Sequence, residues 1–307
     1  MKLITIGKIS AMVVIVAAIM SVAACEKAVD EESDVVSSSS SSKTTKDGKL
    51  NVTFRVAEFC QVPYESMKKN TTRSVVDITE CCTHLNFVVY KDGKKIDSRT
   101  QTKGNADFGE TTMSLRADDY QLLVLAHNSV GGSPTLTDPE KIQFTNQLGY
   151  SDTFYYYGNL TVDNDQLTHE IRLTRASARL CFIVTDDIPE NITHFYFTFT
   201  GGSGVLNAVT GTGGNVNSKQ EKKAKVEGLA SPITMNLYTF LHEEEGLLNV
   251  KVDALNSKGE VVVSRSFEKV PVSRNKITEY KGSFFEKNHT LNFTADTDWA
   301  DTLRISF

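Results

Sequence analysis

His194-Phe195-Tyr196-Phe197-Thr198-Phe199-Thr200 sets a phenylalanine at every second position and polar or amphipathic groups between them. An extended chain turns successive side chains to opposite faces, so this stretch predicts a strand with one apolar and one wetted side. A period of two runs outward from it in both directions. Leu50 to Val56, Leu85 to Tyr90, Gln121 to Ala126, Arg179 to Val184, Leu248 to Ala254 and Val261 to Phe267 all have the apolar, β-branched or aromatic content of short strands. Turn-forming clusters separate them: Lys91-Asp92-Gly93, Gly131-Gly132-Ser133-Pro134, Gly201-Gly202-Ser203-Gly204 and Ser257-Lys258-Gly259. Only Pro63 to Lys69 and Asp138 to Leu148 carry the pattern of a helical turn or two. Many short strands with polar outer faces predict an all-β chain built of sandwiches.

A fresh strand pattern starts after His169-Glu-Ile-Arg-Leu-Thr174, at Arg175-Ala-Ser-Ala-Arg179. We therefore divide the foldable chain into two tandem β-sandwich domains, 49–174 and 175–285, each near the usual size of one sandwich. Residues 286–307 form a C-terminal strand segment.

The N-terminus reads differently. Lys2 and Lys8 precede an apolar run from Ala11 to Ala24, which closes on Val22-Ala23-Ala24-Cys25. A basic start, an apolar middle and small residues before a cysteine give the layout of a bacterial lipoprotein signal over 1–24, with Cys25 as lipid attachment site. The run is shorter than the roughly 20 apolar residues a membrane-spanning helix needs. Residues 25–48 are an acidic and then serine-rich flexible linker, with Ser37 to Ser42 unbroken serine. Such composition buries too little apolar surface to offset its ordering entropy. The acidic stretch after Cys25 resembles the surface-export signal of Bacteroidetes lipoproteins, with Glu26-Lys27 and a delayed Asp30-Glu31-Glu32 in place of a tight acidic cluster. The expectation is a chain tethered by lipid to the cell outer membrane and facing the medium.

Net charge is -5 with pI near 5.8, which gives no electrostatic ground for a nucleic-acid partner. Beyond Cys25 the thiols are Cys60, Cys81, Cys82 and Cys181. Export permits a disulfide from Cys60 to Cys81 or Cys82, and free buried thiols are the other reading. Cysteines and histidines lack the short repeated spacing of a zinc site, and we expect no metal and no cofactor.

Thr210 to Asn217 is glycine-rich but lacks the Gly-Lys-Ser/Thr ending of a phosphate loop, so it reads as a hairpin loop. Lys222-Lys223-Ala224-Lys225 reads as a solvated strand entry. His242-Glu243-Glu244-Glu245 lacks the second histidine of a zinc protease, and His84, His127, His169, His194 and His289 are scattered singly. Asp163-Asn164-Asp165 lacks the glycine and closing glutamate of a calcium loop and reads as a turn. No catalytic residues are assigned, and the chain is not expected to be an enzyme.

Three stretches resemble one family. They are Leu115-Arg-Ala-Asp-Asp119-Tyr120 continuing through Ala126-His-Asn128, Ile171-Arg-Leu-Thr-Arg175-Ala-Ser-Ala178-Arg-Leu180, and Val270-Pro-Val-Ser-Arg274-Asn275-Lys276-Ile-Thr278 running on to Gly282. Each resembles a motif of the fimbrillin superfamily of Bacteroidetes, most nearly the FimB-type fimbrial anchor and accessory lipoproteins. The second is similar to the interdomain crossing of that family and the third to the motif that leads to its last strand. Asp119 stands where the family usually has glycine. The resemblance implies transthyretin-like sandwiches, assembly with other fimbrial subunits by strand exchange, and no enzymatic activity. It also implies proteolytic processing after an arginine near the first strand, for which Arg73 is the candidate, although a lipid-retained anchor does not need that cut.

Leu291 to Ala295 and Trp299 to Phe307 follow the closing motif and contain the only tryptophan. This tail is the candidate for a donated strand, and an extra edge strand on its own domain is the other reading. The expected function is a surface-anchored fimbrial subunit, anchor or accessory, joined to its neighbours by β-strand complementation. The alternative is a surface glycan-binding lipoprotein, with Tyr155, Tyr156, Tyr157 or Trp299 as an aromatic platform for a host or glycan ligand.

Overall fold

His194–Thr200 is a strand that alternates as its sequence predicts: Phe195, Phe197 and Phe199 are buried, and Tyr196, Thr198 and Thr200 half-buried. The computed structural model describes residues 45, 47–59, 78–128, 133–144, 150–214 and 218–286, together with the backbone of 302–306. Within them the chain is all-β apart from one short helix, α1 (Ile78–Cys81). The first half contributes β1 (Leu50–Phe59), β2 (His84–Lys91), β3 (Lys94–Thr102), β4 (Glu110–Leu115), β5 (Asp118–His127), β6 (Ile142–Gln143), β7 (Thr153–Val162) and β8 (Thr168–Arg175). The second contributes β9 (Ser177–Val184), β10 (His194–Thr200), β11 (Val205–Asn207), β12 (Thr212–Gly213), β13 (Gln220–Lys225), β14 (Ile233–Phe240), β15 (Glu245–Leu255), β16 (Val261–Ser273), β17 (Ile277–Gly282) and β18 (Thr302–Ser306).

In the first half the strands follow the order β3-β2-β5-β7-β8-β1-β4. β7 and β8 share only two register pairs, Phe154 with Arg175 and Tyr155 with Thr174. The sheet folds over at that weak seam and encloses a core of Val52, Phe54, Phe87, Leu122, Phe154 and Leu173, among others. Gln101 of β3 closes the far side, because its Nε2 donates to the carbonyls of Asp107 (2.9 Å) and Glu110 (2.7 Å). In the second half β13-β10-β15-β16 faces β14-β9-β17-β18 across a core rich in phenylalanine, with Phe182, Phe195, Phe197 and Phe284 in mutual contact.

A third cluster joins residues of both halves: Val88, Tyr90, Leu123 and Leu125 on one side, and Cys181, Leu206, Phe240 and Ile277 on the other. β6 extends the joint by pairing with β11. Polar outer faces, the sequence expectation, therefore hold for β10 but not for β2, β5 and β9. These three are buried along most of both faces, since each has a core on either side.

Local chemistry explains the turns. Asp92 and Gly93 both take positive φ, 50° and 72°, which is the tight hairpin geometry that Asp-Gly favours between β2 and β3. The Asp138 to Leu148 stretch holds a strand at 142–143 instead of a helical turn, because pairing with β11 and burial of Ile142 override a weak local preference; residues 145–148 lie outside the described residues. Pro63 to Lys69 lies outside them entirely. No helix among the described residues is long and apolar enough to cross a membrane.

Gly201, at the end of β10, combines φ of 98° with close approach to Leu247: a Cβ there collides with the backbone of Leu247 and Leu248. Gly201→Ala is expected to lower stability by more than about 1 kcal/mol, read from the urea-unfolding midpoint. An unchanged midpoint would show that β10 and β15 separate easily at this end.

Candidate functional site

Cys25 and Arg73, the two site residues named from sequence, lie outside the described residues, as do Cys60, His289 and Trp299. The structure instead brings together two of the three family-like stretches. Arg175, last residue of β8, is fully buried and bonds Asp152 through both arms of its fork, Nε to Oδ1 at 2.7 Å and Nη2 to Oδ2 at 2.9 Å. Its Nη1 donates to Asn275 Oδ1 at 2.6 Å, a hundred residues further on. Ser177 Oγ donates to Asp152 Oδ1 at 3.1 Å, and the guanidinium carbon sits 4.6 Å from the Phe154 ring centre.

Arginine suits this place because a planar, always-charged fork can serve a carboxylate, an amide oxygen and a ring face together. Asn275 stands at φ 59° in the turn from β16 to β17, a conformation asparagine accepts more readily than most residues. The network ties the crossing between halves to the closing turn. Asp152 was missed in the sequence, since a lone acidic residue before a strand carries no local signal.

Three of the outer strands, β14, β16 and β3, have guarded edges. On β14, Gln220 Nε2 donates to the Tyr238 carbonyl (3.2 Å) and Lys222 Nζ to that of Asn236 (2.7 Å). Lys222 is thus no solvated strand entry: it is half-buried, and burial, aided by nearby Arg179, lowers its pKa. β16 sends Arg265 Nε across to the Phe284 carbonyl (3.2 Å) and bulges at Lys269, φ 55°. Lys94, Lys95 and Arg99 occupy β3, whose pairing with β2 shifts register at Val89/Tyr90. Inward charges, lysines and bulges of this kind keep sheet edges from pairing with other chains.

β17 is different. Its outer edge is covered by the chain's own C-terminal strand, β18, which pairs in parallel from Ile277 with Thr302 to Lys281 with Ser306. Of the two sequence readings of the tail, this is the extra edge strand on its own domain. Just after β17, the Asp186 carboxylate accepts three consecutive backbone N–H groups, from Phe284 (2.8 Å), Phe285 (2.6 Å) and Glu286 (3.3 Å).

The remaining candidates are structural. Tyr155 and Tyr157 share a face, as a sugar platform requires, but are half-buried against the third cluster, and Tyr156 packs on the first-half core. The histidines are not all single: His84 and His127 stack with ring centres 5.1 Å apart, and Asn86 Nδ2 lies 3.0 Å from His127 Nε2. Cys81, Cys82 and Cys181 are buried thiols. Cys81 ends α1, both it and Cys82 turn inward, and burial raises the Cys82 pKa. Leu206 and Asn207 pair with Gly213 and Thr212 in the hairpin that opens the glycine-rich stretch. Asp163 Oδ1 accepts from the backbone of Asp165 and Gln166, a side-chain-built turn. Among the described residues no three His, Cys, Asp or Glu groups converge as a metal site.

Solved structures with a similar course of the chain include a candidate adhesin from Bacteroides ovatus, at 12% identity and TM-score 0.47, covering 71% of this chain and 82% of that one. The fimbrial anchor protein Mfa2 from Porphyromonas gingivalis aligns at 13% identity and TM-score 0.40, covering 70% and 81%. A fimbrial assembly protein from Parabacteroides distasonis aligns at 14% identity and TM-score 0.40, covering 78% and 93%. Likeness at this level says nothing of what the chain does. No curated protein sequence matches it. Residues 43–305 match the model of a family of unknown function, DUF6562, and the chain, with its Arg175 joint and its tail-covered sheet edge inside that span, belongs to this family.

Proposed function

We propose that this chain is a surface-anchored fimbrial subunit, an anchor or accessory component that joins other fimbrillins by β-strand complementation. In this reading Cys25 carries the lipid, residues 1–24 are removed, 25–48 are the leash, and the protein stands on the outer membrane facing the medium. Residues 49–174 and 175–285 are its two domains, and it works without enzymatic activity, metal or cofactor. The observation that carries the reading is the Arg175–Asn275 bond. Two stretches chosen only for their resemblance to fimbrillin motifs supply the two ends of one partly buried contact.

Processing after Arg73 belongs to the same proposal. A cut there would sever the covalent link between β1 and the rest of the chain. β1 would still be held by its ladders to β4 and β8 and by the buried Val52 and Phe54. The alternative, a glycan-binding lipoprotein, has less support, since Tyr155, Tyr156 and Tyr157 all lean on cores.

Purification from detergent-solubilised outer membranes, with labelled palmitate in the medium, tests the proposal. Label on the wild-type chain, none on Cys25→Ser, and co-purifying fimbrial subunits are expected. Deleting the gene should shorten or detach the surface fibres, and fibres of normal length and attachment would sink the idea.

A further inference from the structure

We propose that the outer face of β10, β15 and β16 carries a saccharide-binding site, centred on the bulge at Lys269. The inference goes beyond the proposed fimbrial role and does not depend on it. A hollow of about 510 Å³ opens on that face, lined by Thr198 and Thr200 of β10, Asn249 and Lys251 of β15, and Ser266 and Lys269 of β16, among others. Its volume falls within the range of about 300–1,000 Å³ that small ligands occupy. A bulge shapes its rim: Glu268 and Lys269 together stand against Asn249 alone, between the pairs Val250 with Phe267 and Leu248 with Val270. Lys269 holds φ at 55°, a conformation that residues other than glycine seldom take, and Asn249 Oδ1 fixes it there by accepting the Lys269 backbone N–H at 3.0 Å. A second hollow, of about 350 Å³ and reaching Tyr280, shares Ser266 to Lys269 with the first. Two hollows meeting at one bulge suit a chain-shaped ligand better than a compact one.

A sheet face that is merely wetted has polar residues but no reason to bury a charge. Asp253, on the same outward side of β15 as Asn249 and Lys251, is only 7% exposed. Its Oδ2 accepts from Lys251 Nζ at 2.7 Å and its Oδ1 from Ser264 Oγ at 2.5 Å, so a buried carboxylate presets a lysine and a hydroxyl at the border of the hollow. Guarding the edge of β16 accounts for the bulge, but not for the hollow or for Asp253. Chemistry names the ligand. Thr198, Thr200 and Ser266 offer hydroxyls and Asn249 an amide, groups that both donate and accept, as sugar hydroxyls do. Threonine methyls and the Lys251 stem add apolar area for the C–H faces of a ring. Asp253 neutralises Lys251, and Lys269 follows Glu268 in the chain, so the hollow holds no surplus charge to select a phosphate. In the neighbouring row Tyr196 pairs with Asp253, and its hydroxyl donates to Glu221, which Lys219 holds at 2.6 Å. An aromatic ring therefore stands beside the hollow, and the site shares no residue with Tyr155 to Tyr157.

Affinity electrophoresis of the full chain, in native gels cast with soluble α-mannan, dextran or arabinoxylan, tests the inference. Retardation by at least one of the three is expected, with an apparent Kd that rises about tenfold when Thr198→Val and Ser266→Ala remove two hydroxyls together. The thermal midpoint of that variant should match the wild type, since both side chains are only half-buried and valine suits a strand. Lys269→Gly keeps the bulge, because glycine accepts φ of 55°, and should weaken binding about fivefold through loss of the side chain alone. Tyr157→Phe, on the other candidate platform, should bind as the wild type does. No retardation by any of the three polysaccharides overturns the inference, and so does retardation that survives the double variant or is lost in Tyr157→Phe. If the double variant unfolds early, Lys269→Gly decides: weakened binding upholds the site and full binding overturns it. Fibres after gene deletion test the fimbrial role alone, so the two readings fail separately.

Discussion

Arg175→Met is expected to lower stability by about 3–5 kcal/mol, the usual result of removing one partner of a buried ion pair. The size follows from what remains. Asp152 is 3% exposed and would keep only the Ser177 hydroxyl and its other neutral neighbours around a charge that water cannot reach. Asn275 would lose a partner in a turn held at φ 59°. Arg175→Lys should fail almost as badly, because one ammonium cannot span both carboxylate oxygens and Asn275 Oδ1 at once. Replacing both partners, Arg175→Met with Asp152→Leu, should recover most of the loss, since apolar groups of similar volume often match a buried pair. Urea-unfolding midpoints of the four chains decide it. A double variant no more stable than Arg175→Met alone would mean that the pair is not the unit that matters.

The stability of the wild-type chain should also fall with acid in a way that depends on His127. This side chain is 1% exposed, and burial, with stacked His84 adding to it, pulls its pKa down to about 3. Asn86 Nδ2 points its amide protons at His127 Nε2, so a proton on that nitrogen would set donor against donor. Above pH 6.5, the ordinary value for histidine, the ring is neutral in both folded and unfolded chains and adds no pH dependence. As the pH falls from 6.5 towards 3, the unfolded chain takes up a proton that the folded one refuses, and stability drops by about 1.4 kcal/mol per unit. Between pH 7 and pH 5 the wild type should therefore lose about 2 kcal/mol more than His127→Gln, which does not titrate. Equal losses in the two chains would refute the assignment, whatever their absolute stabilities.

The legible part of this protein is the part governed by local rules. Strand periodicity at Phe195, Phe197 and Phe199 was readable because it depends only on neighbours two apart, and the Asp92-Gly93 turn because its dihedrals are a property of those two residues. Signals failed where a distant partner decided the outcome. Ile142–Gln143 became a strand because β11 offered an edge, and the single turn of helix at Ile78–Cys81 carries no local mark in the sequence. Lys222 looked solvated until β14 supplied a carbonyl for it.

The candidate site divides in the same way. Sequence by itself determined the all-β class, the strand content and the stretches around Arg175 and Asn275 that deserve comparison with a family, since all three are written in short-range pattern. Tertiary structure alone decided that Arg175 finds Asp152 and Asn275, that His84 stacks on His127, and that the C-terminal strand lies on β17. Each of these contacts closes a loop of 20 to 100 residues. Only the summed packing of the whole chain, and no residue's own preference, makes such a closure favourable.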